Sequence, residues 1–206
     1  PATGLVARGE FECTSIAAVV FNPFAVEVFY RTKRPDGKTG TQFMRFYHFT
    51  SAVRCLPVTS DGRVVMIQEH RRSRGEWVQM LPAGGEKKGR AIEVLMSELL
   101  AETGCITTSK SWVSTLGERY MDDGVFSDVV SLLAVDHLEA PQNHSNSEEG
   151  IRGIVLVPWD EWQKRSLDGE YDDVFCELFA GRCSYDHESQ HTTVRGNYRW
   201  LYGLSR

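Results

Sequence analysis

The chain has 206 residues, 41% of them hydrophobic and 25% charged, with a formal net charge of −5 at pH 7. That balance belongs to a globular domain with room for a core, and it excludes a disordered chain and a bilayer-spanning one, since no apolar run approaches membrane thickness. The acidic balance argues against a surface devoted wholly to nucleic acid and leaves room for a local basic patch.

Five cysteines, Cys13, Cys55, Cys105, Cys176 and Cys183, stand in odd number without paired metal-ligand spacing. Free thiols in a reducing, intracellular compartment are expected, cytoplasm and organelle matrix alike. The first residue is Pro1 rather than methionine, so a processed or truncated product is expected.

Residues 9 to 50 alternate apolar and polar positions in two or three runs, with Val26, Val28 and Tyr30 on one face, which predicts strands. Arg34-Pro35-Asp36-Gly37 is a turn signal between two of them. Ala52 to Val58 and Val64 to Glu69 predict two central strands joined by a tight turn at Ser60-Asp61-Gly62. From Arg90 to Thr103 the period changes: Ile92, Leu95, Met96, Leu99 and Thr103 share a helical face, and Gly104 stands where a left-handed C-cap is expected.

Val129 to Val135 and Ile154 to Val157 predict buried strands flanking a polar loop from Gln142 to Gly150. Asp160 is expected as the N-cap of a second helix that closes at Asp168-Gly169, and Tyr171 to Ala180 predicts a third. Residues 1–50 thus read as an N-terminal strand-rich extension, 51–183 as one α/β domain, and 184–206 as a tail of no readable structure whose aromatics, Tyr198, Trp200 and Tyr202, are expected to pack on the core.

The stretch that carries chemistry is Leu81-Pro82-Ala83-Gly84-Gly85-Glu86-Lys87-Lys88-Gly89, followed by the helix with Glu98 and Glu102. A glycine-rich loop lets backbone approach a ligand closely, and two carboxylates four apart share one helical face. Hard oxygen donors in that arrangement suit Mg2+ or Mn2+, with a diphosphate completing the sphere. Taken alone, two helical glutamates are more often a solvated face.

The stretch resembles the Nudix box, G-x5-E-x7-R-E-U-x-E-E-x-G-U with U a bulky aliphatic. Read back from Gly104, Glu98 matches the glutamate of the R-E pair, Leu99 the aliphatic, Glu102 the second paired glutamate and Cys105 the last position. Ser97 replaces the arginine, Ala101 replaces the first paired glutamate, and the loop is one residue short, with Gly89 or Arg90 where the early glutamate belongs. Leu81-Pro82-Ala83-Gly84 is similar to the L-P-A-G of the ADP-ribose pyrophosphatase branch, and Val64 to Arg71 followed by Gly75 and Trp77 is similar to its V-V-L-V-x-Q-Y-R…G-x-W segment. His70 stands for the tyrosine and Met80 for a glutamate. Downstream, Gly124 to Asp128 resembles a G-F-S-D-E loop, with Val129 for the glutamate.

The resemblance implies a Nudix α/β/α sandwich with a mixed sheet over residues 45 to 180, and hydrolysis of a nucleoside diphosphate linked to another moiety, such as ADP-ribose or a nucleotide sugar. It implies metal ligands at the Ala83 carbonyl, Glu98 and Glu102, and a general base at Glu149, with Glu148 beside it, on the loop before Ile151. Substrate contacts fall at Arg71, Arg72, Gly84, Gly85 and Asp128. From the residues themselves, Arg71, Arg72 and Arg74 with Lys87, Lys88 and Arg90 are expected to form a basic rim around a phosphate site. It also implies a homodimer through the N-terminal strands. The acids lost at 80, 101 and 129 and in the shortened loop, with the orienting arginine lost at 97, support an alternative, a catalytically impaired subunit that binds a nucleotide or RNA 5′ phosphate within an assembly.

Overall fold

The computed structural model describes residues 12–21, 25–34, 36–47, 51–71, 74–86, 90–120, 129–141, 143–147, 150–195 and 200–203. The chain divides into two units, Pro1–Thr50 with Tyr120–Val129, and Ser51–Arg119 with Val130–Arg206.

The first unit is an antiparallel sheet in the order β1 (Glu12–Phe21), β2 (Ala25–Lys33), β3 (Thr39–Tyr47). The predicted hairpin is present: Gly37 takes φ 81° and donates to the Arg34 carbonyl at 2.9 Å, a conformation that glycine adopts without a Cβ clash. β2 pairs with β3 from Ala25↔Tyr47 to Lys33↔Thr39. β1 is exposed along its whole length, Ile16, Val19, Val20 and Phe21 included.

The second unit carries β4 (Ser51–Thr59), β5 (Arg63–Arg71), β6 (Glu76–Met80), β7 (Ala83–Glu86), α1 (Ala91–Thr103), β8 (Ile106–Thr107), β9 (Trp112–Tyr120), β10 (Val129–Glu139), β11 (Ile151–Pro158), α2 (Trp159–Leu167), α3 (Val174–Arg182), β12 (Cys183–Asp186), β13 (His191–Val194) and β14 (Trp200–Gly203). Its main sheet runs β11-β5-β4-β10-β9-β14, with β6 added to β5, β7 to β4 and β8 to β10. β4 and β10 are parallel, while β11–β5, β14–β9, β7–β4 and β6–β5 are antiparallel, so the sheet is mixed.

Side chains alternate across a strand, and this alternation builds two cores. Leu56, Val58, Val64, Met66, Leu132 and Ala134 face Trp159, Trp162, Phe175 and Phe179 of α2 and α3. Val53, Cys55, Val65, Leu133 and Val135 face Val94, Leu95 and Leu99 of α1. The result is the expected α/β/α sandwich.

Several boundaries differ from the sequence expectation. α1 starts one residue late because Arg90 caps it: its N–H and guanidinium both donate to Glu93, and these bonds hold the exposed Glu93 carboxyl below its ordinary value. Gly104 is the left-handed C-cap, φ 67°. Asp160 lies inside the first turn of α2, whose N-cap is Pro158, consistent with proline's preset φ at a helix entrance. α3 begins at Val174 rather than Tyr171, because the Asp173 carboxylate accepts the Phe175 N–H at 3.1 Å and fixes the cap there.

β4 and β5 pair in register only at Val58↔Val64, next to a turn with Gly62 at φ 77°. Beyond it they diverge to different partners rather than forming a long hairpin. The tail is not structureless: β12 and β13 form a hairpin, and β14 adds to β9. Tyr198 lies outside the described residues.

Candidate active site on the helix after strand β7

The residues that aim the Leu81-Pro82-Ala83-Gly84 segment come from far along the chain. Arg54 on β4 donates from Nη1 to the Leu81 carbonyl at 2.9 Å, and the Leu81 N–H donates to Asp173 Oδ2 at 3.0 Å. Arg54 and Asp173 are 3.7 Å apart with side chains only 11% and 6% exposed, and the guanidinium stacks over the Phe175 ring at 4.8 Å. The Pro82 carbonyl accepts the Cys55 N–H at 3.0 Å. Every backbone group of the turn that these bonds reach is therefore fixed to a packed strand or helix end. Sequence reading missed Arg54 and Asp173; the available signal was a lone arginine inside the apolar run 52–58.

Ala83 to Glu86 is not a loop but strand β7, paired with β4 from Arg54↔Ala83 to Ser51↔Glu86. Its backbone finds a ladder partner that local composition does not reveal. Both glycines sit in this strand, Gly84 opposite Val53 and Gly85 opposite Ala52. Gly84 has a specific reason to be glycine: an added Cβ would stand 1.9 Å from Glu98 Cδ and 2.2 Å from its Oε1. Four residues on, Glu102 is buried and accepts the Ala83 N–H on Oε2 at 2.9 Å. Two helical carboxylates thus lie on the Ala83–Gly84 backbone. This donor set, two carboxylates beside a cradle that any Cβ would fill, fits a hard divalent cation together with the Ala83 carbonyl.

Arg71, at the end of β5, is half-buried. Its guanidinium pairs with Glu69 at 2.9 Å and donates to Met80 Sδ at 3.0 Å, so it reaches Met80, the residue before Leu81. The polar loop after β10 is tied at both ends. His144 Nε2 and Asn146 Nδ2 meet the Ala101 carbonyl at 2.9 and 3.2 Å, the Asn146 and Ile151 backbones bond to each other, and the Gly150 carbonyl accepts the His70 N–H at 3.0 Å. The loop therefore spans from the C-terminal turn of α1 to the end of β5. Glu148, Glu149, Arg72, Asp128, Lys87, Lys88 and Gly89 lie outside the described residues. Ser97 is exposed and Ala101 partly buried on α1.

A second depression lies across the β5–β6 hairpin. Its cavity of 330 Å³ is lined by Gln68, Trp77, Gln79, Arg152, Arg165 and Tyr171, among others, with Arg152 over the Trp77 ring at 4.5 Å.

The mixed sheet between helices, the L-P-A-G strand and the acidic helix agree with the comparison to known proteins. The NUDIX domain model matches residues 48–178, more than half of the chain. The chain belongs to the Nudix family. Among solved structures the fold is similar to the crystal structure of an ADP compounds hydrolase, with a TM-score of 0.66, 14% identity, and coverage of 85% of this chain and 92% of that one. No curated protein matches in sequence. Among the described residues, no helix is long and apolar enough to cross a membrane.

Proposed function

We propose that the protein is a divalent-cation-dependent Nudix hydrolase that splits a nucleoside diphosphate linked to another moiety, ADP-ribose or a nucleotide sugar, into a nucleoside monophosphate and a phosphorylated product. The observation that carries this reading is the seating of Glu98 and Glu102 on the Ala83–Gly84 backbone. These two carboxylates and the Ala83 carbonyl would hold Mg2+ or Mn2+. A bound cation would neutralise the diphosphate and make water a stronger acid.

The chain's own residues do the rest. Arg54 and Asp173 hold the Leu81 turn in place, which fixes where the Ala83 carbonyl points. Arg71, with Arg72, orients the substrate's phosphates, and Gly84 and Gly85 admit them close to the backbone, with Asp128 contacting the substrate. Glu149, with Glu148 as its neighbour, takes the proton from the attacking water; the tethering of Asn146 and Gly150 supports a loop held near the end of α1. A structural relative that hydrolyses ADP compounds is in keeping with a substrate of this class.

One observation favours the impaired-subunit alternative. Met80 receives the Arg71 guanidinium where the resembling enzymes have an acid, so the pocket keeps cationic groups that bind a nucleotide or RNA 5′ phosphate directly. Incubation with ADP-ribose and a panel of nucleotide sugars at millimolar Mg2+, with chromatographic identification of the products, separates the two. Turnover releasing a nucleoside monophosphate supports the hydrolase; Mg2+-independent binding of a 5′-phosphorylated oligonucleotide with no turnover supports the alternative.

We also propose a homodimer through the N-terminal sheet, supported by the exposed apolar side chains of β1.

A further inference from the structure

Near its end β10 runs Val135-Asp136-His137-Leu138, and its register with β4 shifts between Val135 and Leu138. His137 sits in the irregularity with φ 51°, a left-handed conformation uncommon outside glycine and asparagine. Asp136 is 1% exposed and His137 6%.

The two residues meet a third on the C-terminal hairpin. Asp136 Oδ2 accepts the Thr192 N–H at 2.9 Å and lies 3.2 Å from His191 Nδ1, while Oδ1 accepts the Trp112 N–H at 3.2 Å. The His137 and His191 rings meet edge to face at 4.7 Å between centroids. One ligand atom from each residue lies within 4.8 Å of the other two. His137 Nε2 is one of six buried side-chain atoms with no hydrogen-bond partner among the described residues, and the one of them that is an imidazole nitrogen. An unsatisfied buried imidazole nitrogen costs its desolvation, and this one belongs to a residue clustered with a second imidazole and a carboxylate.

We propose that Asp136, His137 and His191 form a binding site for a late first-row divalent cation, Zn2+ foremost, which clips the C-terminal hairpin to the main sheet. Two imidazoles and a carboxylate match the donors such ions select over Mg2+. Ligand bonds of about 2.0–2.2 Å in a tetrahedron set donor atoms about 3.3–3.6 Å apart. The Asp136–His191 separation of 3.2 Å already has nearly that length, and the third donor lies within 4.8 Å of both. The backbone N–H groups of Thr192 and Trp112 hold the carboxylate from outside, as supporting hydrogen bonds do at metal centres. His191 is 35% exposed in its side chain, which gives a cation an entrance and leaves a coordination position for water.

This site is separate from the acidic helix. Ser131 stands opposite Val53, and Val53 opposite Gly84; Asp136 is five residues further along β10, about 16 Å at the usual rise per residue. The proposal therefore stands whether or not the Nudix site is active.

The test uses the full chain carrying Cys13→Ser, which removes the exposed thiol, stripped with chelator and titrated with Co2+ as a spectroscopic probe. The expected result is visible d–d absorption of a low-coordinate Co2+ ion that saturates at one equivalent and is abolished by added Zn2+, and a Zn2+-dependent rise in the thermal midpoint. His191→Asn and His137→Asn should each weaken binding by more than the ~10–100-fold that loss of an outer hydrogen-bond partner brings, and Glu102→Gln should leave the bands intact. If His137→Asn fails to fold, His191→Asn, at a partly exposed ring, carries the comparison. Absence of d–d bands and of any Zn2+ shift in the otherwise wild-type chain overturns the proposal, as do bands that survive His191→Asn or vanish in Glu102→Gln.

Discussion

The carboxylate of Glu98 occupies the space where a side chain at position 84 would begin: an ideal Cβ on Gly84 would lie 1.9 Å from Glu98 Cδ. Gly84→Ala therefore displaces the Glu98 head group. Because that head group ends a flexible side chain, the fold should lose little stability. Mg2+ affinity and turnover should fall, on the order of a hundredfold, as expected of an ångström-scale misplacement of a catalytic group. Paired thermal melts and Mg2+ titrations check this; a large melt shift with unchanged Mg2+ affinity contradicts it.

The Arg54–Asp173 pair is nearly dehydrated and holds both backbone polar groups of Leu81. Removing one partner leaves the other charged and buried, so Arg54→Leu should cost about 3–5 kcal/mol in urea unfolding. The double variant Arg54→Leu with Asp173→Leu should cost less than the sum of the two single changes.

How much of this was legible follows from which contacts are local. α1 shows in the sequence because its apolar spacing and Gly104 are consecutive signals, and the alternation of β4 and β10 foretells two packed faces. Gly84-Gly85 reads as a loop because its ladder partner, β4, lies thirty residues upstream in a register only the fold supplies. Asp173 reads as an ordinary turn residue, although its carboxylate caps α3 and holds Leu81 together. Asp136 and His191 stand 55 positions apart with no ligand spacing to announce them; the one hint is an Asp-His pair inside a mostly apolar strand.

Restoring the box should help the cation. Ala101→Glu returns a carboxylate beside Glu102, and adding Ser97→Arg supplies the residue the resembling enzymes use to orient the acids. The double variant should bind Mg2+ more tightly and hydrolyse faster. Three clustered carboxylates repel one another without metal, so it should melt lower than the natural protein in chelator and respond more strongly to Mg2+. Calorimetry and melts with and without chelator check both signs.

Thiol chemistry tests the packing. Cys13 is exposed, while Cys55, Cys105, Cys176 and Cys183 are buried. Burial pushes the Cys183 thiol up to about 12, against the pull of Arg195, and raises Cys55, Cys105 and Cys176 as well. Since the thiolate is the reactive form, a disulfide reagent at mildly alkaline pH should titrate no thiol other than Cys13 in the native protein, more slowly where a second copy covers β1, and all five in denaturant. Cys13→Ser should abolish the native reaction.

Light scattering at tens of micromolar should give twice the 23.3 kDa chain mass if β1 is covered by a second copy. Replacing Val19 and Phe21 with lysine should then yield a monomer, since both side chains are exposed. A monomer of unaltered protein contradicts the dimer.

The most direct measurement of the central claim is the initial rate of ADP-ribose hydrolysis against Mg2+ concentration for the natural protein and for Glu102→Gln. The glutamine retains an oxygen to accept the Ala83 N–H but lacks the charge. The expected result is a saturable dependence on Mg2+ in the natural protein. In the variant the rate should fall by about 10²–10³, the scale of removing one electrostatic group from a preorganised site, with the melt preserved. Hydrolysis that persists in chelator, or that Glu102→Gln leaves unchanged, would contradict the assignment of Glu98, Glu102 and Ala83 as the cation's holders.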